Sequence, residues 1–211
     1  MIGYAFTGSF CTLSHSLAAL RRLRADGADI LPIFSENVLR TDTRFWRAEE
    51  FYNTVTALCG REIVHTIVDA EPLGPATPLE ALVIAPCTGN TLAKIAQGIT
   101  DTPVTMAAKA HLREDRPLLL ALASNDSMSA NLANISKLLL RKQVFFRSHA
   151  ARRPREKAAL AGCRLYLSLR LSFRRPLRQA IKTAVLVREK RRRGLFAKSP
   201  LQPEKLYILY D

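Results

Sequence analysis

Short continuous apolar runs alternate with amphipathic segments through the first two thirds of the chain. Ile2–Phe6 is one such run, and Leu13, Leu17, Leu20 and Leu23 then recur at helical spacing up to a stop at Gly27. Ile30–Phe34, Ala81–Ala85 and Leu118–Ala123 repeat the apolar pattern, and Val144–Phe146 opens another. Between them, residues 41–59 (around Phe45, Trp46, Phe51 and Leu58), 91–97, 102–112 and 127–140 read as helices. Residues 63–67 fit a strand or a helix end, and the proline-rich stretch 71–78 reads as irregular and rigid. Continuous apolar strands separated by helices predict a parallel sheet covered on both faces.

In such a sheet, ligands bind beyond the carboxyl ends of the strands. The loops expected there are Thr7-Gly8-Ser9, Ser35-Glu36-Asn37, Pro86 to Thr91 and Ser124-Asn125-Asp126, all small and polar. The third is the most informative: Pro86-Cys-Thr-Gly-Asn-Thr91 sits between a strand and a helix, so its hydroxyls, amide and free N–H groups face one spot at a helix N-terminus. That is anion chemistry, with phosphate the usual occupant. Glycine, Asn and Thr also serve strand–helix turns for conformational reasons alone; four converging loops favour a ligand. Neither G-x-G-x-x-G nor G-x-x-x-x-G-K-[ST] occurs, so a mononucleotide with one phosphate fits better than a dinucleotide or a nucleoside triphosphate.

The formal charge of +14 suggests a nucleic-acid binder until it is mapped. Residues 1–146 carry 14 basic and 14 acidic side chains, whereas 147–211 carry 18 and 4. The excess belongs wholly to the last 65 residues. Cys11, Cys59, Cys87 and Cys163 are scattered, with no C-x-x-C pair, which argues against a zinc site or a disulfide framework. Cys87 lies in the anion loop, where a small apolar filler is the ordinary reading. His65, among apolar residues, reads as a packed side chain. The N-terminus shows no signal-peptide pattern and no apolar run spans a membrane, so a cytoplasmic location is expected.

Ala5-Phe6-Thr7-Gly8-Ser9, Pro86-Cys-Thr-Gly-Asn-Thr91 and the following Leu92–Asp101 resemble, in order and spacing, the motifs of the flavoprotein family that includes peptidyl-cysteine and phosphopantothenoylcysteine decarboxylases. Asp42–Phe45, Ala70–Pro75, Thr100–Arg113, Arg116–Asp126 and Asn131–Ile135 narrow the likeness to the B-subunit family of dipicolinate synthases, over about residues 1–146. The resemblance implies an α/β fold of the three-layer Rossmann-like (flavodoxin-like) type and FMN as cofactor, with NAD(P) entering only through the partner. It implies an A subunit as partner, a small dicarboxylate substrate and a homo-oligomer. Thr7, Gly8, Ser9, Pro86, Thr88, Gly89, Asn90 and Thr91 would then hold the FMN phosphate and ribityl chain, and Ser35 would add a hydroxyl. Arg44, Lys109 and Arg113 are the candidate cations for the substrate, although each also reads as an ordinary solvated surface charge. The decarboxylases' Pro-x-Met-Asn-x-x-Met-Trp pattern is absent, Ala123–Met128 standing in its place, and no residue matches their catalytic His. Cysteine decarboxylation is therefore the alternative, and RNA binding through the tail a further one.

The tail breaks the pattern. In the B-subunit family a segment like VPxxQDDPxxKPxSLVADF follows the Phe-Phe strand. Permitted codons for Arg147–Leu165, read from the second base of the first codon, yield VPMRQDDPVKKPHSLVADF. Residues 147–211 thus read as a basic segment translated out of frame, and the net charge then carries no functional meaning. Sequencing the gene is expected to show a one-base change near codon 147 relative to close relatives; an unaltered frame would refute this reading.

Overall fold

The computed structural model describes residues 1–127 and 129–147, so the reading of the tail, apart from Arg147, lies outside the described residues. Five strands, β1 (Ile2–Phe6), β2 (Ile30–Phe34), β3 (Ala81–Cys87), β4 (Leu118–Leu122) and β5 (Val144–Arg147), form one sheet in the order β2-β1-β3-β4-β5. Every pairing is parallel. This is the expected α/β, flavodoxin-like sheet. All five residues of β1 are buried; since successive side chains point to opposite faces, both faces are covered. The order reverses between β1 and β3, and a crevice opens there at the carboxyl edge.

The helices are α1 (Leu13–Ala25), α2 (Glu36–Arg40), α3 (Ala48–Cys59), α4 (Ile67–Ala70), α5 (Gly89–Gln97), α6 (Pro103–Arg113) and α7 (Leu132–Leu139). Local chemistry sets several ends. Thr102 and Thr105 form a capping box ahead of Pro103, and left-handed Gly60 and Gly98 close α3 and α5. An aromatic cluster anchors α3 to the sheet: Phe51 lies 5.2 Å from Phe6, 5.4 Å from Phe34 and 5.3 Å from Trp46 between ring centroids. Gly3 is dictated by packing, because a Cβ there would stand 2.7 Å from Leu79 Cδ1 and 2.8 Å from Leu82 Cδ1.

Two sequence expectations need correction, and one left open is resolved. Residues 41–47 are not helical: the Thr43 hydroxyl accepts from the N–H groups of Phe45 and Trp46, and Asp42 accepts from that of Ala48, so side chains hold a turn that only α3 follows. Residues 127 and 129–131 likewise form turns, and α7 starts at Leu132. Residues 63–67, which fitted strand or helix, contain both: Val64 bridges Ile33 in parallel, and α4 begins at Ile67. Among the described residues no helix is long and apolar enough to cross a membrane.

His111 on α6 is fully buried, with Nε2 2.9 Å from the Pro117 carbonyl and Nδ1 without a partner. Burial lowers its pKa, against the Pro117 hydrogen bond and with help from the Arg116 charge. The folded state therefore takes up this proton at lower pH than the unfolded chain does. The stability His111 contributes is complete above the unfolded value near 6.5 and is lost as pH falls through and below it. Urea midpoints should accordingly fall between pH 7 and pH 5, with at most about 1.4 kcal/mol per pH unit from this one proton. His111→Gln should be less stable at pH 7 but show a flatter pH dependence; an unchanged slope would contradict the assignment.

Candidate functional site

The crevice between β1 and β3 is held by one hydroxyl. Thr7, 1% exposed at the end of β1, donates from Oγ1 to the Pro86 carbonyl at 2.7 Å and accepts from the Thr88 N–H at 3.0 Å. Pro86, after a cis Ala85–Pro86 bond, thus meets Thr7 through its carbonyl. Thr7's only hydroxyl proton is engaged, so it clamps two loops together and is not a donor to a ligand. Thr88 is similarly occupied: its Oγ1 caps α5 by accepting from Thr91 N–H at 3.2 Å and donates to Thr91 Oγ1 at 3.0 Å.

That leaves a specific set of groups facing outward. The N–H groups of Gly89 and Asn90 lie in the first turn of α5 and have no intrahelical partner. The Thr91 hydroxyl accepts from Thr88 and keeps its own proton for a ligand. Asn90 is exposed. Gly89 is required by a close approach: a Cβ there would stand 2.7 Å from Asn131 Nδ2 and 3.2 Å from Ser124 Oγ. Ser124 and Asn131 thus complete a cradle around the start of α5. Asn131 is 9% exposed and tied to the Asp126 carbonyl through its backbone N–H, while Ser124 Oγ accepts from the Asp126 N–H. Neither residue was among the candidates drawn from the sequence; their signal was the polar loop after β4 and the Asn131–Ile135 phrase.

The remaining candidates near this edge fall into three groups. Gly8 and Ser9 form the turn after β1; Ser9 Oγ accepts from Thr12 at 3.1 Å, and a Cβ at Gly8 would make only ordinary contact with Asn37. Ser35 ends β2 with its N–H on the Phe6 carbonyl, and its buried Oγ has no hydrogen-bond partner. A buried, unpartnered hydroxyl at the carboxyl edge is what a polyhydroxylated ligand would satisfy. Arg44 lies in the 41–47 turn with its guanidinium 4.8 Å from the Phe45 ring centre. Trp46 of that turn donates to Ser14 in the first turn of α1, which places Arg44 on the carboxyl side of the sheet.

Lys109 and Arg113 are not brought to this edge. They lie on α6, whose end leads directly into the amino end of β4, and they line a cleft with Arg141 and Lys142, which precede β5. A five-residue strand puts about 17 Å between the two edges. Cys87 is fully buried, and burial pushes its thiol up to about 12, so it is a neutral packing group. His65, expected to be packed, is exposed, with Nδ1 2.9 Å from the Ile63 carbonyl. Val64 pairs with Ile33 in parallel, so His65 follows it toward the carboxyl edge beside β2.

The family model of the Flavoprotein family matches residues 1–158. This chain belongs to the Flavoprotein family. The dipicolinate synthase B subunit of Bacillus subtilis (strain 168) is 42% identical over 145 residues, covering 69% of this chain and 72% of that protein. The crystal structure of the dipicolinate synthase B subunit from Bacillus halodurans C superposes with a TM-score of 0.62 at 40% identity, covering 69% of this chain and 74% of that one. The fold alone is shared with AnUbiX (PadA1) in complex with FMN and dimethylallyl pyrophosphate, at TM-score 0.56 and 21% identity over 69% of this chain and 75% of that one. That neighbour holds FMN, and two features of this chain have the chemistry to hold such a group. The open N–H groups and glycine cradle at α5 match a phosphate, and the orphaned Ser35 hydroxyl matches a sugar-alcohol chain.

Thr7→Val keeps the shape of the side chain and removes both clamp bonds, leaving the Pro86 carbonyl and Thr88 N–H buried without a partner. A loss of about 2–3 kcal/mol is expected in urea unfolding. A loss under about 0.5 kcal/mol would mean that the loops are held otherwise.

Proposed function

We propose that this chain is the flavin-binding subunit of a two-subunit oxidoreductase that converts dihydrodipicolinate to dipicolinate together with a dehydrogenase-like A subunit. The 42% identity to a dipicolinate synthase B subunit over 69% of the chain carries this reading, and the cradle at α5 agrees with FMN. The reaction removes two electrons and two protons from the dihydropyridine ring and makes it aromatic. Bound FMN supplies a two-electron acceptor there, and NAD(P) enters only through the A subunit.

The chain's own task is to hold and orient. The N–H groups of Gly89 and Asn90, the Thr91 hydroxyl and the Asn90 side chain bind the phosphate, at the positive end of α5. Ser9 and Ser35 bind the ribityl chain, and Gly8 keeps the turn after β1 free of a side chain. Thr7, Pro86 and Thr88 fix the loops. Arg44 takes one carboxylate of the substrate as a charge-assisted pair. The protein acts as a homo-oligomer in the cytoplasm; an E. coli FMN-dependent UbiX-like decarboxylase with this fold is dodecameric. A second reading, an FMN-dependent cysteine decarboxylase, gains from His65 at the same edge. Decarboxylation of a peptidyl or pantothenoyl cysteine without an A subunit would establish it.

The deciding experiment is the visible spectrum of the protein purified with its A subunit. A flavin spectrum that bleaches on adding dihydrodipicolinate is expected; a colourless preparation that still makes dipicolinate would overturn the flavin role. Ser35→Ala should weaken FMN binding about fivefold while leaving the stability of the flavin-free protein unchanged, since its hydroxyl has no partner to lose. Gly89→Ala should weaken it more than tenfold, on the order of 1.5 kcal/mol or more, by displacing Asn131.

A further inference from the structure

The cleft at the amino edge is a site of its own. It has a volume of about 480 Å³ and is bounded by the ends of α5 and α6 and by the turn from α7 into β5. Lys109 and Arg113, one helical turn apart on α6, line it together with Arg141 and Lys142 from the turn before β5. Asp115 is the one carboxylate lining it, so the cleft holds an excess of three positive charges in a domain whose first 146 residues are neutral. Glu71 and Glu114 line a smaller hollow behind Lys109 and Arg113. Among the described residues, none of these four cations has a carboxylate within ion-pair distance. Solvated cations at helix C-termini have a bland explanation, since they offset the helix dipoles. Three helix ends contribute about half a negative charge each, however, and so cancel only half of the excess.

The rim is also defined by its backbone. Asp115 and Gln143 are the only described residues other than glycine with positive φ, at 52° and 60°, and both border this cleft. Gln143 in that conformation is costly for a side chain of its type. Its carbonyl accepts from the Leu118 N–H, so the turn that carries Arg141 and Lys142 is fixed to the amino end of β4. The backbone that carries Arg141 and Lys142 is therefore tied to the sheet.

We propose that this cleft binds a small molecule with two separated anionic groups, one end on Lys109 and Arg113 and the other on Arg141 and Lys142. The site is distinct from the cofactor cradle, which lies beyond the other ends of the same strands. Two cation pairs carried by different elements, α6 and the turn before β5, favour a two-ended dianion over a monoanion, and the arginines favour planar carboxylate or phosphate oxygens. The inference does not depend on the flavin or on the reaction proposed above.

Calorimetric titration of the full-length protein with isophthalate, pyrophosphate and benzoate tests it. Isophthalate and pyrophosphate carry the two charged ends on carboxylates and on phosphates, so their relative affinities identify the source of the dianion; benzoate carries one. At least one dianion should bind more than about tenfold tighter than benzoate. Lys109→Gln/Arg113→Gln and Arg141→Gln/Lys142→Gln should each weaken that dianion by about tenfold or more, the loss of one charge-assisted contact. All four side chains are exposed, so thermal unfolding of both double variants should match the parent and exclude misfolding. Equal binding of benzoate, no binding of either dianion, or affinity unchanged in either double variant would overturn the proposal.

Discussion

The hydrogen bonds of the Thr7 hydroxyl hold together the point on which the site depends. In this sheet the chain leaves β1 in one direction and β3 in the other, so the loops that follow them diverge and open the crevice. Nothing in the sheet ladder itself prevents those loops from separating. Thr7 closes the gap from one buried atom, donating to Pro86 and accepting from Thr88. Because Thr88 is also the cap of α5, the same contact fixes where that helix starts and where its open N–H groups point. Anion recognition by a helix start is directional, so the site's geometry is inherited from this clamp.

A division of labour follows among residues that look alike in sequence. Thr7, Thr88 and Thr91 are all threonines in the anion loops, yet the protons of Thr7 and Thr88 are spent inside the protein and only Thr91 has one left. Hydroxyl chemistry alone does not distinguish them; the distinction is which neighbour each proton has already met. Gly89 shows the converse. It carries no functional group, but its missing side chain lets Asn131 and Ser124 come against the start of α5. A residue can belong to a binding site by the volume that it leaves.

The strands were legible because burial on both faces leaves an uninterrupted apolar run, a local signal. The break at 41–47 was not, since Asp42 and Thr43 compete with the helix through side-chain bonds whose outcome depends on where Trp46 and Ala48 are held. Lys109 and Arg113, read from the sequence as candidate substrate cations, share α6 but lie at the amino edge, away from Arg44. Arg113 stands five residues before Leu118, and a residue that close to the start of a strand must lie near its amino end. Chain order therefore held the signal, whereas residue type did not. Asn131 stood in a motif phrase, but its relation to Gly89 is not local: it exists only once β3 and β4 are neighbours.

The two anion sites proposed for this sheet rest on different physics. At the carboxyl edge the attraction comes from fixed dipoles, the free N–H groups of α5, in a partly buried cradle that formal charge scarcely enters. At the amino edge the ends of α5, α6 and α7 present carbonyls, and an anion is welcome there only because side-chain cations outnumber both those dipoles and Asp115. Dipoles at short range in a sheltered site resist screening, whereas exposed cations are screened within a Debye length, about 8 Å at physiological salt. Binding at the cradle should therefore be nearly indifferent to ionic strength, and binding in the cleft should weaken steadily as salt is added. The difference arises because a parallel sheet with right-handed crossovers sends helix starts to one edge and helix ends to the other, so one topology dictates both the site that needs no charge and the site that cannot do without it.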